Sequence, residues 1–182
     1  MALKATIFKA QVGVADMDRP YYGDHALTIA RHPSETDERM LVRLIAFALH
    51  ADADLGFGKG LSTDDEPDLW RKDLTGAIDL WVDVGLPDER RVRKACGRAG
   101  QVFVYCYGGR AVDLWWKQNA GLLAGQHNLT VVNLRYESGA VLSPLAARSM
   151  DLRFTIQERQ VWITDGVRTV EVELATLTQP VS

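Results

Sequence analysis

The chain has 182 residues, with 21 Lys and Arg against 24 Asp and Glu, a formal net charge of −3 and 47% hydrophobic residues. A chain of this size buries roughly 70% of its extended surface, so it can build a core without disulfide or metal staples. Two cysteines outside any C-x-x-C spacing exclude a disulfide scaffold, and the acidic balance excludes a protein that coats nucleic acid by bulk positive charge. Any phosphate recognition has to be local. The opening Met1-Ala2-Leu3-Lys4-Ala5-Thr6 lacks the apolar run of a signal peptide, and no stretch approaches the roughly 18 apolar residues of a membrane span. A cytoplasmic protein with no membrane partner is expected.

Residues 3–14 and 25–31 alternate loosely between apolar and polar around the turn-rich Asp16-Met17-Asp18-Arg19-Pro20, which predicts an N-terminal hairpin. His32-Pro33-Ser34-Glu35-Thr36-Asp37-Glu38 is a helix start, with Ser34 or Thr36 as the cap and acids in the first turn. Leu41, Leu44, Ile45 and Ala48 then predict a helix to about Leu49 with one buried stripe. Glu38 lies on the line of that stripe, where a carboxylate is either solvated at the open end or aimed at a functional group.

A glycine-punctuated stretch, Leu55 to Gly60, leads into the acidic run Asp64-Asp65-Glu66-Pro67-Asp68. Leu69-Trp70-Arg71-Lys72, the break Asp73-Leu74-Thr75-Gly76 and the strand-like Ala77 to Gly85 read as a hairpin. Leu86-Pro87-Asp88-Glu89 opens a helix that ends around Gly97 to Gly100, and Gln101 to Tyr107 is a strand of the buried type. Residues 77–107 thus form a βαβ unit with parallel strands. A helix over about Arg110 to Leu123, a strand over Leu129 to Leu134 and an antiparallel meander over Leu152 to Gln157, Val161 to Thr164 and Val170 to Leu174 complete the pattern. With no repeat and no linker, the reading is a single compact α+β domain over residues 1–182, a mixed β-sheet with flanking helices.

Most apparent motifs dissolve on inspection. Gly56 to Gly60 lacks the spacing and the Gly-Lys-Ser/Thr end of a phosphate loop. The four histidines show no zinc spacing, and one of Trp115 and Trp116 on an amphipathic helix is expected in the core rather than against a base. The carboxylates are more informative. Asp79 and Asp83 share a strand face but lie about 13 Å apart, too far to share an ion. With Thr75-Gly76 as a two-residue turn, paired residue numbers sum to 151, which sets Asp68 opposite Asp83. Two facing carboxylates repel unless a cation compensates, and Mg²⁺ would suit such a pair; a different register or a solvated edge is the alternative. On the following helix Arg90, Arg91, Lys94 and Arg98 form a basic stripe opposite Val92, Ala95, Cys96 and Ala99, either a solvated face or a local phosphate surface.

The strings Met1 to Thr6, Ala30-Arg31-His32-Pro33-Ser34-Glu35-Thr36 with Glu38-Arg39-Met40, Ile78-Asp79-Leu80-Trp81, and Gly85-Leu86-Pro87-Asp88-Glu89-Arg90-Arg91 with Lys94-Ala95-Cys96 resemble the YaeQ family of bacterial proteins over essentially the whole chain. That resemblance implies a restriction-endonuclease-like, PD-(D/E)xK core over about residues 34–135. It implies Mg²⁺-dependent phosphodiester cleavage of nucleic acid, with Asp68 and Asp83 as metal ligands, Pro67-Asp68 as the "PD" and Glu38 as the helix acid. The motif lysine is replaced by Gly85. Lys94 and Gln101 are the candidate substitutes, the first disfavoured by its helical phase and the second by its expected height near Asp79. Arg90, Arg91 and Lys94 are the expected phosphate contacts. A non-catalytic nucleic-acid-binding or regulatory adaptor on a nuclease fold is the alternative.

Overall fold

The computed structural model describes residues 4–178; Met1 to Leu3, with the first residue of the predicted hairpin, lie outside them. Contacts within the chain divide it into two compact units that interleave in sequence, residues 1–51 with 136–173 and residues 52–135 with 174–182.

In the first unit, β1 (Thr6–Asp16) and β2 (Tyr21–Arg31) form the predicted hairpin, β1 running two residues further toward the turn and β2 starting four residues earlier than their apolar pattern suggested. β1 also pairs in parallel with β8 (Ser149–Gln157), which leads antiparallel to β9 (Gln160–Thr164) and β10 (Thr169–Thr176). The strand order is β2-β1-β8-β9-β10, a mixed sheet. Phe8, Ala10, Val12 and Val14 of β1 and Leu152, Phe154 and Ile156 of β8 alternate inward, as the period of two requires. Helix α1 (Asp37–Leu49) starts at Thr36, whose hydroxyl accepts from the Arg39 N–H, and contacts β1 and β8. The predicted single stripe is corrected here: every residue from Met40 to Leu49 is buried. Arg43 permits this because its guanidinium donates to buried Glu35 and to the Ala30 carbonyl, so a cation on the expected polar face is neutralised. A short helix α4 (Gly139–Leu142) and a 3₁₀ turn (Ser143–Leu145), both unpredicted, lie against α1.

In the second unit the order is β7-β6-β5-β4-β3, from β3 (Leu55–Phe57), β4 (Leu69–Lys72), β5 (Ile78–Val84), β6 (Ala99–Cys106) and β7 (Leu129–Arg135). β5, β6 and β7 are parallel, and β3, β4 and β5 antiparallel, so this sheet is mixed too. Helices α2 (Glu89–Arg98) and α3 (Arg110–Leu123) make the two crossovers. They bury Val92, Ala95, Cys96, Val112 and Trp115 against Trp81, Val102, Val104, Cys106 and Val131 on one sheet face. Asp88 caps α2, accepting from the Arg90 and Arg91 N–H groups. Asn128 donates to the carbonyls of Cys96 and Ala99 and satisfies the far end of α2. The α+β class with mixed sheets and flanking helices is observed. β3, inside the glycine-rich stretch, was unpredicted.

Candidate functional site

The β4–β5 hairpin fixes the acid pair. Leu69 faces Val82, Trp70 faces Trp81 and Arg71 faces Leu80, the expected register. It is reached by a different turn. Asp73 donates to the Ala77 carbonyl and closes a three-residue loop, its carboxylate accepting from the Thr75 and Ala77 N–H groups, and an irregularity at Arg71/Lys72 restores the count. Asp79, at this irregularity, pairs with Arg71 at 2.9 Å across the strands.

Continuing the register sets Asp68 opposite Asp83, and backbone bonds lace the two together. The Val84 N–H donates to Asp68 Oδ2 at 2.9 Å and the Asp68 N–H to Asp83 Oδ1 at 3.4 Å. Both residues are buried, at 3% and 2% exposure, so their repulsion needs a compensating cation inside the protein. That cation is Arg91. Its Nε donates to Asp83 Oδ2 at 2.9 Å and its Nη2 to Asp83 Oδ1 at 3.0 Å, a two-pronged pairing to which the Trp81 indole adds a bond of 3.1 Å. Desolvation pulls the guanidinium down, but hydrogen bonding and charge from Asp83, then Asp68 and Asp64, outweigh it and hold Arg91 above its ordinary value. Its remaining N–H groups donate to the carbonyls of Thr63 and Glu66.

The acidic run closes over the pair. Lys94 donates to Asp65 at 2.9 Å, Arg98 to the Asp65 carbonyl at 3.0 Å, and the Lys59 N–H to Glu66 at 3.0 Å. The glycines of the preceding stretch serve this closure. A side chain at Gly58 would come within 2.2 Å of the Pro67 carbonyl, and one at Gly60, whose φ is +49°, within 2.4 Å of Asp68 Oδ1. The loop therefore lies directly on Pro67-Asp68, a reason for glycine that spacing alone does not reveal.

The predicted site residues part company. Asp68 and Asp83 meet as expected. Arg91, expected on the phosphate surface, is instead their counter-cation. Lys94 is half exposed and bound to Asp65 rather than to the pair. Gln101 pairs with Leu80, whereas Asp83 pairs with Val104, so Gln101 projects from the opposite sheet face. Arg90 is exposed at the start of α2. Glu38 belongs to the first unit, where the Tyr136 hydroxyl donates to its Oε2 at 2.7 Å and the bare Cα of Gly139 leaves room for its carboxylate. An open depression of about 380 Å³ in that unit, bordered by Tyr22, Asp24 and Arg153 over Gly13, contains none of the predicted residues.

The resemblance implies Mg²⁺ at Asp68 and Asp83, but in this arrangement the pair does not fit one. Both oxygens of Asp83 accept N–H groups from Arg91, and among the described residues no three His, Cys, Asp or Glu side chains converge to hold a metal ion. Cys96 and Cys106 are free and buried, their thiols pushed up to about 11 and about 12 by burial, which removes them from thiolate chemistry. Among the described residues no helix is long and apolar enough to cross a membrane.

Fold and site thus define an α+β protein with a buried, internally neutralised acid pair near the carboxyl edge of a parallel β5-β6-β7 segment, the edge where ligands of α/β sheets bind. Residues 1–174 match the family model described as "YaeQ protein", and the chain belongs to the YaeQ family. It is 48% identical over 180 residues to "Uncharacterized protein YaeQ" of Escherichia coli (strain K12) and to its Salmonella typhi counterpart, covering 99% of each chain. Among solved structures, YaeQ protein from Xanthomonas axonopodis pv. citri is similar with a TM-score of 0.92 and 48% identity, over 97% of this chain and 99% of that one. YaeQ protein from Pseudomonas syringae follows at a TM-score of 0.88 and 34% identity, over 96% and 97%.

Proposed function

We propose that this protein binds nucleic acid on a nuclease-like framework without hydrolysing it, its acid pair serving as a structural lock. The observation that carries this reading is the Arg91 guanidinium seated on both oxygens of Asp83, in the place the resemblance implies for a divalent cation. Supporting the choice of partner, the carboxyl edge of β5-β6-β7 carries the exposed arginines Arg90, at the start of α2, Arg110, at the start of α3, and Arg135, at the end of β7. Local positive charge there supplies what the net charge of −3 does not.

The second reading is the Mg²⁺-dependent phosphodiesterase, favoured by the facing register of Asp68 and Asp83. One experiment separates the two. Binding of labelled single- and double-stranded oligonucleotides is followed by anisotropy as salt rises, beside a cleavage assay with Mg²⁺ or Mn²⁺ for the wild type and Asp83→Asn. Expected are salt-sensitive binding and no cleavage. Cleavage by the wild type that Asp83→Asn abolishes overturns the first reading in favour of the second, and absence of binding at low salt overturns both.

A further inference from the structure

We propose that the start of α3 and the end of β7 form a seat for a phosphoryl group. β6 runs into α3 through Tyr107-Gly108-Gly109, and both glycines hold positive φ, +116° and +64°, conformations that side chains rarely adopt. Gly109 occupies the cap position and has no side chain to offer, so the helix starts with no side-chain cap. The Val112 N–H turns back to the Gly109 carbonyl at 3.0 Å, which leaves the N–H groups of Arg110 and Ala111 as the orphan donors of the first turn. A side chain at Gly109 would meet nothing within 4 Å, so the space before these donors is open. An uncapped helix start of this kind, with the positive end of fourteen residues of helix behind it, attracts an anion.

An independent observation on the neighbouring strand points to the same place. Asn133 is 8% exposed, yet its side chain makes no hydrogen bond with any described residue. The residue is more than nine-tenths buried while its amide still reaches the surface, so the amide is held open to a ligand and its neighbours do not supply a partner. Its direction follows from the register. Asn133 pairs with Cys106, so it rises from the sheet face that carries Cys106, Val104 and Val131, the face covered by Val112 and Trp115 of α3. Cys106 is the last residue of β6 before the glycine turn, so the unpaired amide lies at the end of the sheet where α3 begins. Arg135, two residues on along β7, shares that face and is exposed. Arg110 is the first residue of α3 and is exposed as well.

Two orphan backbone donors, one amide and two guanidinium groups outnumber what a planar carboxylate accepts and match a tetrahedral phosphoryl group with three terminal oxygens. The acid of this turn is Asp113, which opposes the anion. The seat stands on its own geometry, whatever the fate of the nucleic-acid reading: a free phosphate, a nucleotide or a polynucleotide backbone would each present the same group.

The test is a ¹H–¹⁵N titration of the full chain with inorganic phosphate, with sodium chloride at matched ionic strength as the control. Expected are saturable shifts centred on the backbone amides of Gly108 to Ala111 and the Asn133 side-chain amide, absent with chloride. Asn133→Ala should weaken binding about tenfold, as for a lost hydrogen bond to a charged group. Arg135→Gln, on the exposed end of the strand, should weaken it about threefold and keeps the test decisive if Asn133→Ala does not fold. Asp113→Asn should tighten it about twofold. Shifts scattered over basic residues, equal responses to chloride, or a phosphate affinity untouched by both Asn133→Ala and Arg135→Gln would overturn the proposal. Parallel titrations with a nucleoside monophosphate and a short oligonucleotide identify the source. A response to phosphate without oligonucleotide binding retains the seat while rejecting the nucleic-acid reading.

Discussion

Replacing Arg91 with Met removes a guanidinium that neutralises two facing carboxylates and keeps a side chain of similar length. In the wild type Arg91 makes two bonds to Asp83 and one each to the carbonyls of Thr63 and Glu66. Asp83 is 3% exposed at its side chain, so in the variant it would face Asp68 with its guanidinium partner gone and little water. Breaking a buried pair by removing one partner costs about 3–5 kcal/mol. The 18% exposure of the Arg91 side chain lets some solvent in and places the expected value near the lower end, about 3 kcal/mol. For a chain of this length that lowers Tm by roughly 6–12 °C. Urea unfolding at pH 7 should show a lower midpoint with an unchanged slope. Arg90→Met, one residue away and exposed, should stay within about 0.5 kcal/mol of the wild type. Because the loss comes from a stranded charge, Arg91→Met combined with Asp83→Asn should cost less than the sum of the single changes by about 1–2 kcal/mol. Additive costs, or an Arg91→Met variant as stable as Arg90→Met, would refute the assignment of Arg91 as the internal cation.

Further outcomes follow from the same geometry. Gly60→Ala should destabilise by about 1–3 kcal/mol in thermal unfolding, because its Cβ meets Asp68 Oδ1 at 2.4 Å on a backbone of positive φ. Asn128→Ala should cost about 1–2 kcal/mol by the same measurement, since two carbonyls at the end of α2 lose their donor. The hydrogen bond from Lys94, then its charge and that of Arg98, hold the Asp65 carboxyl below its ordinary 3.8. A depressed carboxylate stabilises above its unfolded value, and that contribution fades as pH falls through the lower folded value. An NMR titration should therefore find Asp65 ionised below pH 3.8, and Lys94→Met should move its midpoint upward. Cys96 and Cys106 should resist a thiol reagent at pH 8 in the native protein and both react in denaturant, because burial keeps them as thiols.

How much of this was legible in the sequence depends on the range of the interaction concerned. The helix starts within His32 to Glu38 and Leu86 to Glu89, the alternating strands and the βαβ order of residues 77–107 follow from contacts a few residues apart. The Asp68/Asp83 pairing was legible for a similar reason, since a short hairpin ties register to turn length. Even there the turn is a residue longer than expected, and an irregularity at Arg71/Lys72 restores the count. The short α4 and β3 escaped because four and three residues carry no readable period.

Which cation compensates the acids was not legible. Helical phase placed Arg91 within a basic stripe, and the same phase fits a solvated face, a phosphate contact or an inward guanidinium. The choice was made by Asp83 on β5, by the carbonyls of Thr63 and Glu66, and by glycines that bring the acidic loop onto Pro67-Asp68. Arg43 and Asn133 teach the same lesson. One is a buried charge made tolerable by Glu35, and the other a buried residue whose unpartnered amide only packing reveals.

The count of 24 acids against 21 bases argues against bulk electrostatic binding of nucleic acid, and net charge is a property that composition alone fixes. The sequence by itself also determined the class and the facing acids, set by local pattern and hairpin register, and the family, through the resemblance of its specific strings. Only the tertiary structure decided that Arg91, Lys94 and Arg98 of α2 are spent on acids and carbonyls distant in the chain, leaving Arg90, Arg110 and Arg135 exposed along the carboxyl edge. The physical reason is that ion pairing between residues 8 to 29 positions apart depends on which side chains the fold brings within about 3 Å, and no periodicity encodes that.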